Sequence, residues 1–194
     1  MSLKKVSERG DEYYTPDYIV EILIPFLRKT DIKKIWCPAD KDSSEYVKVL
    51  TKAGYDVIYS HIDDGKDILT YVPEEDYDAI ITNPPFSIKN KVFDRVIELG
   101  KPFAILMSAT SIQSASFVQA LSKCEDVKFI IFDKRISYSG DRPPFPSWYF
   151  TYGILEKNEF YIYKEDPKDL YKKWENKKNR LEFRKWVNQY MKKR

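Results

Sequence analysis

The stretch Tyr77-Asp78-Ala79-Ile80-Ile81-Thr82-Asn83-Pro84-Pro85-Phe86 decides how this chain is read. Residues 77–82 form a short apolar run with the character of a buried strand, and the run stops at an asparagine followed by two prolines. Asparagine starts a turn and the prolines stiffen it, so the minimum reading is a rigid bend at a strand's carboxyl end. Asn-Pro-Pro-aromatic arises by chance in on the order of one in several hundred chains of this size.

The same alternation extends outward. Residues 17–27 (DYIVEILIPFL) suit a mostly buried helix behind Thr15-Pro16. Residues 33–37 (KKIWC) read as a first strand ending at Pro38, and Ser43 or Ser44 caps a helix closed by Gly54. Residues 55–62 read as a second strand and 77–82 as a third. A helix over 90–99 stops at Gly100, before a fourth strand at 102–107. A helix near 116–122 and strands at 127–132 and 148–155 complete the pattern. Strands alternating with helices give an α/β fold with a mostly parallel sheet covered on both faces. Ligands of such sheets bind beyond the strands' carboxyl ends, where Asp40, Asp63, Asp67 and Asn83 fall.

The Asn-Pro-Pro-Phe residue types suit one chemistry. An adenine's exocyclic amine is a poor nucleophile because its lone pair is delocalised into the ring. The Asn83 amide oxygen and the Pro84 carbonyl can accept its two hydrogens and aim the lone pair at an electrophilic methyl group. Positioning and fixed dipoles then do the work of a strong base. Pro85 keeps the loop stiff, and Phe86 offers a face for a flipped-out base, worth ~1–3 kcal/mol.

Composition excludes several classes. The 194 residues are 43% apolar, enough for one real core, and six glycines and eleven prolines do not make a collagen-like or low-complexity chain. No window approaches the roughly 20 apolar residues of a membrane span. Cys37 and Cys124 stand apart and form neither a disulfide framework nor a metal cluster, so no metal is expected. His61, the single histidine, lies beside Asp63 and Asp64 at a strand end, where a structural role outweighs that of a base. Charge is uneven: residues 168–194 hold eleven Lys/Arg against three acids, a charge of +8, which leaves −5 on residues 1–167 of a chain whose net charge is +3. The division expected is a body of residues 1–167 and a basic amphipathic helical tail of 168–194. That tail suits a polyanion partner, and equally a solvated helix.

Five stretches together resemble a known family: Tyr13-Tyr14-Thr15-Pro16, Trp36-Cys37-Pro38-Ala39-Asp40, residues 57–69 (VIYSHIDDGKDIL), Asn83-Pro84-Pro85-Phe86-Ser87, and residues 142–150 (RPPFPSWYF). The chain resembles Rossmann-like, S-adenosylmethionine-dependent adenine-N6 DNA methyltransferases, and among them the EcoRI-type adenine-specific family often seen in phages. The resemblance covers about residues 12–155. It implies a class I methyltransferase sheet with an antiparallel edge hairpin. It also implies S-adenosylmethionine as cofactor, DNA (or RNA) as partner, and the cytoplasm, the host's if phage-encoded, as location.

Residue by residue, the resemblance places Tyr14, Thr15 and Pro16 near the cofactor's methionine carboxylate. Cys37, Pro38 and Asp40 form the turn after the first strand, with Asp40 near the amino-acid end. Asp63 or His61 holds the ribose hydroxyls, and Asp67 with Ile68 contacts the cofactor's adenine. Asn83, Pro84, Pro85 and Phe86 carry the target base, with Asn83 bordering the cofactor. Arg135, Arg142, Phe145 and Trp148, with Lys172, Lys173, Lys177 and Lys178 of the tail, are the candidate nucleic-acid contacts. The aromatics of residues 135–149 could equally be packed beneath a stiff loop.

Two departures from the family are visible. Lys41-Asp42-Ser43-Ser44 stands where a glycine-rich turn is usual. The link from Asp63 to Asp67 is too short for a helix and strand, so the sheet is expected to be reduced at that edge. No separate target-recognition domain fits, which points to a short target, a homodimer or a partner subunit. Two other readings stay open: the same site acting on RNA or a protein glutamine amide, and a non-catalytic nucleic-acid-binding or interaction protein on this fold.

Overall fold

The computed structural model describes residues 14–136, 138 and 145–161. The tail 168–194, with Lys172, Lys173, Lys177 and Lys178, and also Arg142, lie outside the described residues. Among the described residues seven strands form one sheet: β1 (Lys34–Pro38), β2 (Asp56–Ser60), β3 (Ala79–Thr82), β4 (Phe103–Ser108), β5 (Lys128–Phe132), β6 (Ser147–Tyr152) and β7 (Glu159–Tyr161), in the order β2-β1-β3-β4-β6-β5-β7. β1 pairs in parallel with β2 and β3, and β3 with β4. β6 runs antiparallel to both neighbours, β4 and β5, while β7 is parallel to β5. Six strands therefore point one way, and β6 alone is reversed.

Burial explains the central order. Every residue of β3 and β4 is buried, as parallel strands covered on both faces require. Phe93, Phe103, Phe117 and Phe150 build the core on one side, with Phe93 and Phe117 centroids 4.6 Å apart and Phe117 and Phe150 5.3 Å apart. Trp36 is fully buried, and its indole N–H donates to Ser60 Oγ at 3.0 Å, so no donor is stranded between β1 and β2.

Among the described residues five helices cover the sheet: α1 (Asp17–Glu21), α2 (Ile24–Leu27), α3 (Glu45–Lys52), α4 (Lys89–Leu99) and α5 (Ala115–Leu121). The single helix expected over 17–27 is two short ones, because Pro25, in the first turn of α2, has no N–H to continue the ladder from α1. Ser44 is the cap of α3, accepting the Tyr46 N–H at 3.1 Å, and α4 closes at Gly100 with φ +66°. β7, unforeseen in the sequence, extends the far edge of the sheet. At the other edge β2 is terminal, followed by a 3-10 turn (Ile62–Asp64) and, over residues 65–78, neither strand nor helix. The reduced edge foreseen from the short Asp63–Asp67 link is thus present.

Candidate functional site

The carboxyl ends of β1, β2 and β3 deliver their next residues into one cavity of about 310 Å3. Ala39, Asp40 and Lys41 follow β1, His61 follows β2, and Asn83, Pro84 and Pro85 follow β3; Tyr14 and Thr15 close it from the N-terminal side, and the first turn of α3 supplies Ser44, Glu45 and Tyr46. The crevice sits where the strand order turns back at β1, as the ligand sites of open α/β sheets do.

Asp40 is the electrostatic centre of this wall. Its side chain is nearly inaccessible, and burial pushes its carboxyl up to about 7. Two hydroxyls oppose that rise: Ser44 Oγ donates to Oδ1 at 2.6 Å, and Thr82 Oγ1 lies 2.9 Å from Oδ2. Thr82 Oγ1 also contacts the Pro38 carbonyl, so the last residue of β3 joins both the end of β1 and its acid. Ala39, the residue before Asp40, takes a left-handed φ of +61°, a conformation a side chain adopts at a cost.

His61 is 6% exposed, and its Nδ1 accepts the Asp63 N–H at 3.1 Å, which leaves the ring proton to Nε2. Asp63 itself points outward, with a side chain 63% exposed. It is ion-paired to Lys41 at 2.6 Å, and this hydrogen bond holds its carboxyl below the ordinary range. Of the two residues considered for a ribose, His61 lines the cavity and Asp63 does not.

The remaining expected residues divide in the same way. Pro16 is the cap residue of α1, Cys37 and Pro38 belong to β1, and none of them lines the cavity. Burial pushes the Cys37 thiol up, as suits an inert core residue. Asp67 spends one oxygen on the Leu69 N–H at 2.9 Å, and Ile68 is buried in the apolar core with Trp36 and Tyr77. Phe86 is 9% exposed, its ring tilted against Phe145 at 4.9 Å and Tyr138 at 6.4 Å. Arg135 is exposed, whereas Trp148 is half-buried against Phe129 at 6.3 Å. The structure adds Ala39, Lys41, Ser43, Ser44, Glu45 and Tyr46 to the wall, none of them expected at the site from the sequence. The capped start of α3 was the signal for them, since a helix beginning right after the β1 turn must open onto the same crevice.

Comparison with known proteins fits this geometry. A solved structure from Listeria monocytogenes, described as a class I S-adenosylmethionine-dependent methyltransferase, superposes with a TM-score of 0.54 over 79% of this chain and 67% of its own length, at 13% identity. The fold is that of the class I methyltransferases. A TehB-like S-adenosylmethionine-dependent methyltransferase of Corynebacterium glutamicum gives a TM-score of 0.40 at 14% identity, over 76% of this chain and 91% of its own. No family model and no curated protein matches the sequence. Among the described residues no group of three His, Cys, Asp or Glu could hold a metal ion, and no helix is long and apolar enough to cross a membrane.

Within this class I methyltransferase fold the wall offers complementary charges. Asp40 is an acceptor, while the N-terminus of α3 and the His61 ring are donors. The volume lies at the small end of the roughly 300–1,000 Å3 of small-molecule sites. A ligand with one cationic and one anionic end, joined to a hydroxylated ring, matches that set.

Proposed function

We propose that this chain transfers a methyl group from S-adenosylmethionine to the exocyclic amine of adenine in DNA. The observation that carries the reading is the shared cavity: Asn83, Pro84 and Pro85 stand on the same wall as Asp40 and His61. The residues fit the cofactor. Buried Asp40 accepts from its ammonium group, Thr15 and the start of α3 face its carboxylate, and His61 Nε2–H meets a ribose hydroxyl. Bound there, S-adenosylmethionine supplies the electrophilic methyl group.

The Asn83 amide oxygen and the Pro84 carbonyl accept the two hydrogens of the target amine and turn its lone pair toward the cofactor side of the cavity. The loop is fixed behind them: Ile88 N–H donates to the Pro85 carbonyl at 3.2 Å and Lys89 Nζ to that of Phe86 at 3.2 Å. A stacked base would have to part the Phe86–Phe145 contact, so base entry and movement of Phe145 go together. The +8 of residues 168–194 supports a nucleic acid over a protein substrate by its affinity for phosphate.

The test is methyl transfer from labelled S-adenosylmethionine to duplex DNA, single-stranded DNA, RNA and a glutamine peptide, with product hydrolysis to locate the methyl group. N6-methyladenine formed in DNA by the wild type, and lost in Asn83→Ala, is the expected outcome. Label only in RNA or peptide moves the substrate. No label in any arm, with no cofactor binding, leaves a non-catalytic binding protein.

A further inference from the structure

The hydrogen bonds around Asp40 do not balance if it is a carboxylate. Thr82 has one hydroxyl proton, yet its oxygen sits within bonding distance of two acceptors, the Pro38 carbonyl and Asp40 Oδ2. Ser44 is already committed: it takes the Tyr46 N–H and gives its proton to Asp40 Oδ1. One arrangement satisfies every atom. Thr82 donates to Pro38, and Asp40, carrying a proton on Oδ2, donates to Thr82. We propose that Asp40 keeps its carboxyl proton in the free protein up to about neutral pH, donating it to Thr82, and that it yields this proton to solvent when the ammonium group of a ligand enters the cavity.

The Thr82 hydroxyl proton then swings from Pro38 to the new carboxylate, so Thr82 is the positioning residue for both states. The neighbours of Asp40 leave the exchange to it. Cys37 on β1 and Tyr46 on α3 are buried, and that burial pushes their ionisation upward. Lys41 is engaged by Asp63. Glu45 is another acid on the wall, and His61 caps its own 3-10 turn through Nδ1. The burial that raises the carboxyl to about 7 agrees with the geometry. The ligand half of the proposal rests on the cofactor reading given above, whereas the free-protein half does not.

The full chain is titrated calorimetrically at pH 7 with S-adenosylhomocysteine, and with methylthioadenosine, which carries the same nucleoside without the ammonium group. Both titrations are run in two buffers of different ionisation enthalpy. About half a proton is released per S-adenosylhomocysteine bound, none per methylthioadenosine, and S-adenosylhomocysteine affinity rises about tenfold from pH 6 to pH 8. In Asp40→Asn, whose amide N–H donates to Thr82 as the neutral acid does, the melting temperature loses its wild-type dependence on pH between 5 and 8. His61 is intact in that variant, so the difference belongs to Asp40.

S-adenosylhomocysteine binding with no proton released overturns the exchange. Identical pH profiles for wild type and Asp40→Asn overturn the neutral free state. Absence of S-adenosylhomocysteine binding overturns the cofactor reading and the ligand half with it, while the melts decide the free-protein half independently.

Discussion

The hydroxyls of Tyr46 and Tyr149 meet 3.0 Å apart in the interior, joining α3 at the cavity wall to the reversed strand β6. Both side chains are at most 1% exposed, and Tyr149 Oη also reaches the Ile19 carbonyl at 3.4 Å. The pair is the polar tie between the cavity and the far half of the sheet. Replacing Tyr149 by Phe strands part of that bonding capacity and is expected to cost about 1–2 kcal/mol in chemical denaturation. Tyr46→Phe costs a similar amount, and the double variant costs less than the two together, because each single change already breaks the shared bond.

Asn83→Ala removes the amide proposed to hold the target amine and leaves the sheet untouched, since Asn83 follows β3 rather than belonging to it. Transfer is expected to fall by at least about a hundredfold while melting temperature and cofactor affinity change little. Parallel melts, calorimetry and label incorporation check this. Undiminished transfer would sink the proposed mechanism.

Ala39 holds its left-handed backbone without the freedom of glycine. Ala39→Gly relieves that strain but adds unfolded-chain entropy, for a net gain of about 0.5–1 kcal/mol. Denaturant midpoints at constant slope measure it.

Two acids tilt stability in opposite directions with pH. Asp40 rises from an ordinary 3.8 to about 7 on folding, so its contribution is complete below about pH 4 and is lost as pH climbs through 7. At about 1.36 kcal/mol per unit, the loss is at most about 4 kcal/mol. Asp78 accepts the N–H groups of Lys33 and Lys34 at 2.7 and 2.8 Å, which holds its carboxyl below the ordinary value. Its contribution, about 1 kcal/mol at a half-exposed position, is present above about pH 4 and lost as pH falls below it. Melts from pH 2 to 8 should show Asp40→Asn flattening the upper limb and Asp78→Asn the lower.

The strands and their sequence of types could be read directly, because runs such as 102–107 and 127–132 are apolar, short and bounded by breakers. The convergence of Asp40 and Asn83 could be read too, since both follow strand ends and parallel strands share one carboxyl edge, but Asp63 and Asp67, expected beside them, do not line the cavity. Other features depend on contacts distant in sequence. Nothing local says that β6 slides between β4 and β5, or that three residues after Gly153 and Asn158 join β5 as β7. Ile68 turns inward because the missing outer strand leaves the Trp36 face to be covered by residues 65–78. Tyr46 reaches the cavity only through the pitch of α3, and its partner lies 103 positions away.

The reversed strand has a bearing on how the chain is made. Among the described residues β5 touches no strand except β6 and β7, both of which come later in the chain. As the polypeptide leaves the ribosome, β1 to β4 can zip together in order, but Lys128, Phe129 and Ile130 must wait for their partners Thr151, Phe150 and Tyr149 to emerge. For that interval a newly made chain carries an unpaired apolar strand, the kind of edge that invites pairing with another chain.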